Sequence, residues 1–251
     1  MPTYTGDMFA DKRHGRGRVV EDDGEIYEGD FAAGYRHGRG KLTLPSGTTV
    51  EGDFRGNTVH GRAVLISADG SERYDGEFRQ GVFQGAGKYS YADGGEYDGE
   101  WMDGEMHGRG RYRHEDGGDE YEGEYRHDKR HGAGRYVSED DAVYEGEWAA
   151  GEMHGFGTHT DNKGGKYIGE WVKNKRHGRG RWEGPYGEIA EGTWRNGDRS
   201  KDVVVLEKGR PPPTEEDVIA SYLNPGGGAA SQQQPKRDPR VQELEDLEFG
   251  S

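Results

Sequence analysis

The chain has no cysteine and only 29% hydrophobic residues. It also has no apolar run near the ~18 residues that cross a bilayer as a helix. Without thiols there are no disulfides, no thiolate metal sites and no cysteine nucleophile. The missing apolar run and the lack of a leader-like start lead us to expect a soluble, cytoplasmic protein. With Pro2 in place of glycine and no cysteine, neither N-terminal myristoylation nor prenylation is expected. So little apolar content cannot fill one large core in 251 residues. Its 33% charged residues would by themselves favour disorder.

Positive charge is also short: 34 Lys and Arg against 49 Asp and Glu give a net −15. Such a surface repels nucleic acid and anionic lipid on average, so nucleic-acid binding is not expected and membrane lipid is disfavoured. Residues 201–251 hold 6 basic and 10 acidic side chains, net −4, leaving −11 for the rest. Within that acidity lie three basic clusters: Lys12-Arg13-His14, Lys129-Arg130-His131 and Lys175-Arg176-His177.

What is present is a repeat. Tyr27-Glu28-Gly29-Asp30-Phe31 precedes His37-Gly38-Arg39-Gly40, and Tyr97-Asp98-Gly99-Glu100-Trp101 precedes His107-Gly108-Arg109-Gly110. The first position falls at Tyr4, Tyr27, Val50, Tyr74, Tyr97, Tyr121, Tyr144, Tyr167 and Ala190, every 23 or 24 residues. A period this regular means one small unit stacked many times. Alternation puts Tyr97, Gly99 and Trp101 on one face, with Asp98 and Glu100 on the other. Met102–Met106 is expected to turn the chain, and Gly108, Gly110 and Tyr112 share a parity in the return strand. The simplest pairing sets rings over glycines and Arg opposite Glu or Asp. The expected fold is all-β: an elongated, twisted array of antiparallel β-hairpins with a short helical or flexible C-terminal tail. Eight units at two strands each would span about 75–80 Å. The extra residue of the longer repeats is expected in the turn between units.

These residues resemble the MORN repeat (membrane occupation and recognition nexus), whose consensus is near Tyr-x-Gly-Glu-Trp-x-x-Gly-x-x-His-Gly-x-Gly. The units at Tyr97, Tyr121, Tyr144 and Tyr167 match closely, with Asp128 and Asn174 replacing the loop glycine in two of them. Departures are Met8 and Val50 at aromatic positions, Ala63 for a glycine, Gln84 for the histidine, and a closing half-unit at Ala190–Gly197. The resemblance covers about residues 4–197 and implies a hairpin ribbon. It also implies an all-repeat scaffold similar to radial-spoke-head and other axonemal proteins of cilia and flagella. The same repeat occurs in cytoskeletal scaffolds, junctional membrane proteins and lipid kinases, so it indicates fold more than role.

Seven of the ten histidines occupy His-Gly turns. Neighbouring units would hold them about 9–10 Å apart, too far to share a metal, so a structural turn role is expected. Gly-Arg-Gly is not followed by the helix and Lys-Ser/Thr of a phosphate loop. The acids recur in every unit, whereas a catalytic site needs one special environment. No catalytic residue, cofactor or metal is expected, and the chain is read as not an enzyme.

The aromatic rows have two readings: packing between hairpins, or a groove that receives a partner helix. The second names Tyr97, Trp101, Tyr121, Tyr144, Trp148, Tyr167 and Trp171 as partner-binding residues. The array is read as 1–198, followed by a capping strand (Asp202–Leu206) and Pro-rich spacer over 199–213 and a short helix over 214–224. A flexible linker (225–240) and a candidate docking helix (241–251) complete the chain. Val218, Ile219, Tyr222 and Leu223, then Val241, Leu244 and Leu247, are the tail docking residues, with a frayed tail as the alternative. Expected partners are structural proteins of a cytoskeletal or axonemal complex, with a homodimer as a further option. A phosphoinositide-binding adaptor or regulatory subunit is the alternative function.

Overall fold

The computed structural model describes residues 1–115 and 117–207. The tail docking residues Val218 to Leu247, and the two tail helices expected there, lie outside the described residues. Those described form nineteen β-strands and no helix. Eight hairpins share one plan, a seven-residue strand and a nine-residue return strand, from Thr3–Phe9 with Lys12–Val20 to Lys166–Val172 with Lys175–Glu183. Each strand pairs antiparallel with its neighbours in sequence, both within and between hairpins, giving one open sheet. The last long strand, Ile189–Arg195, pairs with the short strands Asp198–Arg199 and Val204–Glu207.

Two turn chemistries alternate along the edges. Inside a hairpin the loop has two residues, not the five expected, because Glu96–Met102 and Glu105–Arg113 extend to Asp103-Gly104. Both loop residues have positive φ, 53° and 87°, as a type I′ turn requires. Asp128 and Asn174 replace the glycine at φ 61° and 63°, a conformation Asn and Asp tolerate best among residues with a side chain. Their side chains add something glycine lacks: each Oδ1 accepts the backbone N–H of the preceding hairpin, at Met106 and Met153, both at 2.8 Å. Between hairpins the usual link is a wider turn such as Tyr91–Gly95. In the two 24-residue repeats that turn gains one residue, bonding Ser67 to Glu72 and His114 to Asp119.

The core is a ring laid over a glycine. Tyr97 is fully buried. A Cβ on Gly110 of its return strand would stand 2.5 Å from the Tyr97 ring, and one on Gly99 would stand 2.5 Å from its hydroxyl. The hydroxyl donates to the Glu100 carbonyl at 3.0 Å, so the phenol lies along its own strand. Tyr27, Tyr74, Tyr121 and Tyr144 repeat that bond at 3.0 Å. The ring thus supplies contact where glycine has no side chain, and the glycine supplies room for the ring.

Two departures from the repeat follow from this pairing. Where Tyr gives way to Val50, the covered glycine gives way to Ala63, which is opposite Gly52 and buried. Where Tyr gives way to Ala190, Val203 fills the same place against Gly192. Ring and glycine are exchanged together. Val50→Tyr alone should therefore destabilise by about 1–3 kcal/mol through overpacking against Ala63. Adding Ala63→Gly should recover most of that loss, a coupling of about 0.5–3 kcal/mol in urea unfolding. Simple additivity of the two changes would contradict the pairing.

Candidate interaction surfaces

The seven rings singled out from sequence come together in one ladder, with Tyr125 joining Tyr97 to Tyr121 at 5.1 Å on either side. Trp101 meets Tyr97 of its own unit edge-on at 5.1 Å and Tyr74 of the preceding unit at 5.5 Å. Trp148 likewise bridges Tyr144 and Tyr121, and Trp171 bridges Tyr167 and Tyr144. Perpendicular placement sets the positive edge of one ring on the negative face of the next. Each indole N–H is satisfied by a glycine carbonyl: Gly87 for Trp101, Gly134 for Trp148 and Gly157 for Trp171, at 2.9–3.2 Å.

The rings themselves are covered, so the groove reading cannot rest on direct contact with them. Tyr97 and Tyr167 are 0% exposed, and Trp101, the most exposed of the seven, reaches only 6%. Return-strand residues form a half-buried layer over the ladder, including Tyr89, Met106, Tyr112, Tyr136, Met153 and Trp182. Sequence reading missed most of this layer because these positions vary from unit to unit, and only the parity of Tyr112 pointed to it. The layer dips near Met106, Tyr112, Tyr121, Tyr125, Arg130 and Tyr136 into a concavity of about 370 Å³.

The arginines of the basic clusters also belong to this layer. Arg13 lies over Tyr4 at 5.3 Å, Arg130 over Trp148 at 4.3 Å and Arg176 over Tyr167 at 5.0 Å. A guanidinium on a ring face is attracted by its quadrupole and brings its own aliphatic stem as cover. These side chains therefore do not stand out as a basic edge.

The opposite face is charged. Asp98, Arg111, Glu122, Arg135 and Glu145 stand side by side across five strands in alternating sign. Arg135 reaches Glu145 at 3.0 Å, and further on Arg181 reaches Glu191 at 2.7 Å. A second charged row serves a bulge that parity alone does not show. Gly99 pairs with Gly110, yet Glu100 pairs with His107, so Gly108 and Arg109 are extra residues on the return strand. Gly108 has φ 57°, and the Glu100 carboxylate accepts the freed Arg109 N–H at 2.9 Å. Glu124, Glu147 and Glu170 cap the corresponding amides of Ala133, Phe156 and Arg179. The histidines open these bulges. Among the described residues no group of three or more His, Asp or Glu side chains is placed to hold a metal ion.

Truncating Trp148 removes a buried ring with two edge contacts and an N–H bond, so Trp148→Ala should cost about 3–5 kcal/mol in denaturant unfolding. A loss below 1 kcal/mol would mean that the ladder does not hold the sheet. Burial pushes the Tyr27 and Tyr167 phenols up to about 12. A folded-state value above the unfolded one means that the unfolded chain releases its proton first as pH rises. Stability should therefore hold steady between pH 7 and 9 and fall from about pH 10. Urea midpoints across pH 8–11 check this, and a rising midpoint would contradict it.

Family comparison accords with this geometry. The MORN repeat family model matches residues 4–20, 27–49, 51–72, 74–96, 97–119, 121–143, 144–166 and 167–185. No curated protein matches the chain. Among solved structures, it is similar to the wild-type TCP10 domain of Danio rerio CPAP, with 12% identity, TM-score 0.39, and coverage of 71% of this chain and 83% of that one. The same domain in complex with a peptide of Danio rerio STIL gives 14% identity and TM-score 0.32, covering 82% and 100%. The SAS-4 TCP domain of Drosophila melanogaster, bound to a proline-rich motif of Ana2, gives 11% and 0.31, covering 77% and 90%. With eight matched segments spread over most of its length, the chain belongs to the MORN repeat family.

Proposed function

We propose that this chain is a non-catalytic scaffold that binds structural proteins of a cytoskeletal assembly, a ciliary or flagellar axoneme being the specific setting. The observation that carries the scaffold reading is the repetition itself. Buried rings, bulge caps and turns recur unit after unit across the array and serve the sheet. The axonemal setting rests on resemblance to short all-repeat members of the family.

The partner surface proposed is the ring face. The seven buried rings form its rigid floor, and the half-buried layer of Met106, Tyr112 and Tyr136 is what an incoming helix touches. An amphipathic helix suits this surface because apolar side chains at turn spacing can enter the dip while polar ones remain at its rim. The phosphoinositide alternative is weakened by the packing of Arg13, Arg130 and Arg176 onto rings, which leaves one exposed lysine, Lys12, Lys129 or Lys175, in each basic cluster.

Proximity labelling in ciliated cells tests the reading. The full chain should label axonemal structural proteins, and a Met106→Ser/Tyr136→Ser variant with unchanged β-sheet circular dichroism should lose most of them. Labelling confined to membrane proteins, or a prey set unchanged in the variant, would overturn it.

A further inference from the structure

On the charged face, the residue between the two glycines of His-Gly-x-Gly is Arg in five of the eight units, Ala at 86 and 133, and Phe at 156. In the first units this arginine links two carboxylates. Arg39 donates its backbone N–H to Asp30 at 3.1 Å and ion-pairs through Nε with Asp53 of the next unit at 2.8 Å. Arg16 does the same with Asp7 at 3.3 Å and Asp30 at 3.6 Å.

At Phe156 the carboxylates remain and the cation is gone. Its N–H bonds Glu147 at 3.0 Å, Glu170 stands opposite in register, and the ring is 50% exposed. Ala133 stands likewise between Glu124 and Glu147. Among the described residues neither Glu147 nor Glu170 takes part in an ion pair. The neighbouring charge ladder breaks at the same place, where Thr158 and Ile168 face each other. Val64 between Glu51 and Asp75, and Ala86 and Ala133, also interrupt the alternation of charge, but among the described residues only at Phe156 does a half-exposed aromatic ring stand between acids.

We propose that this part of the charged face docks an extended basic segment of a partner protein. Lys or Arg side chains of that segment take the places held by arginines in the first units, one of them over the Phe156 ring. A cation is drawn both to the ring face and to the carboxylates beside it. The carboxylates recur every second strand, about 9–10 Å apart. A polyproline II chain repeats every third residue at about 9.3 Å, so cations three residues apart match that spacing. An open trough of about 540 Å³ lies on the same face, bounded by Ala133 and by Asp98, Glu122 and Glu124 among three arginines. Its bordering rows are two residues apart along the strand, about 7 Å. That admits an extended chain but not a helix about 10 Å across.

The proposal shares with the scaffold reading only the premise of protein binding. Fluorescence anisotropy with a labelled Arg-Pro-Pro-Arg-Pro-Pro-Arg peptide tests it on the full chain. Binding should be at least tenfold tighter than for the same composition with its arginines adjacent, and absent for the Glu-for-Arg peptide. Phe156→Arg rebuilds the arrangement of Arg39, so it should fold normally by circular dichroism yet weaken binding tenfold or more. Glu139→Gln, an equal charge change in a remote turn, should alter affinity less than twofold. Equal affinity for the two arginine spacings, wild-type affinity in Phe156→Arg, or an equal loss in Glu139→Gln would overturn the proposal. The Met106→Ser/Tyr136→Ser variant should titrate like wild type, so this site and the ring-face reading fail separately.

Discussion

A phenol ring lying across a glycine on the neighbouring strand is the contact from which the remaining structure follows. One layer of sheet has no second layer to bury its apolar side, and strands rich in glycine have little side chain to bury. Tyr97 resolves both problems by lying flat along its own strand, covering Gly110 and anchoring its hydroxyl on the Glu100 carbonyl. The indole four residues later can then stand upright, edge-on to the phenols of two successive units. Hairpins that would be marginal alone are thereby joined through a continuous ladder, and stability becomes a property of neighbours rather than of single units.

Much of this is legible in the residues. The alternation Tyr97, Gly99, Trp101 fixes a strand with rings on one face, and the glycine spacing of the return strand shows what lies under them. The placement of the extra residue in the turns follows because the distance from Tyr to His never changes. Other features were hidden for physical reasons. Parity reads His107–Gly110 as ordinary strand, since a two-residue bulge restores the same facing beyond it. The acid at Glu100 therefore looks like one half of a cross-strand ion pair, whereas its carboxylate first serves a displaced amide. Packing of the rings between hairpins was one of the two readings of the aromatic rows, but how completely they are covered was out of reach, because the layer above them is built from Met106, Tyr112, Tyr136 and Trp182, positions without a shared residue type.

The paired exchanges are the most informative departures. Read singly, Val50 and Ala63 look like decay of the repeat, as does Ala190 at its end. Read as occupants of one contact, each substitution explains its partner: a missing ring leaves a space, and a side chain on the former glycine fills it. Departures of this kind preserve the fold and carry no message about binding.

Phe156 is a departure of another kind. It sits on the charged face, where the fold does not need it, and nothing on the neighbouring strands compensates for the lost guanidinium. Thr158 and Ile168 remove one positive and one negative position of the adjacent ladder together, which keeps the local balance but opens an apolar gap. Compensation inside the molecule marks a position as structural, and its absence directs attention outside. By that criterion the buried ladder of rings, repeated along the array, provides the rigidity of the sheet, while the varied layer above it and the unit broken at Phe156 are where the pattern is left open.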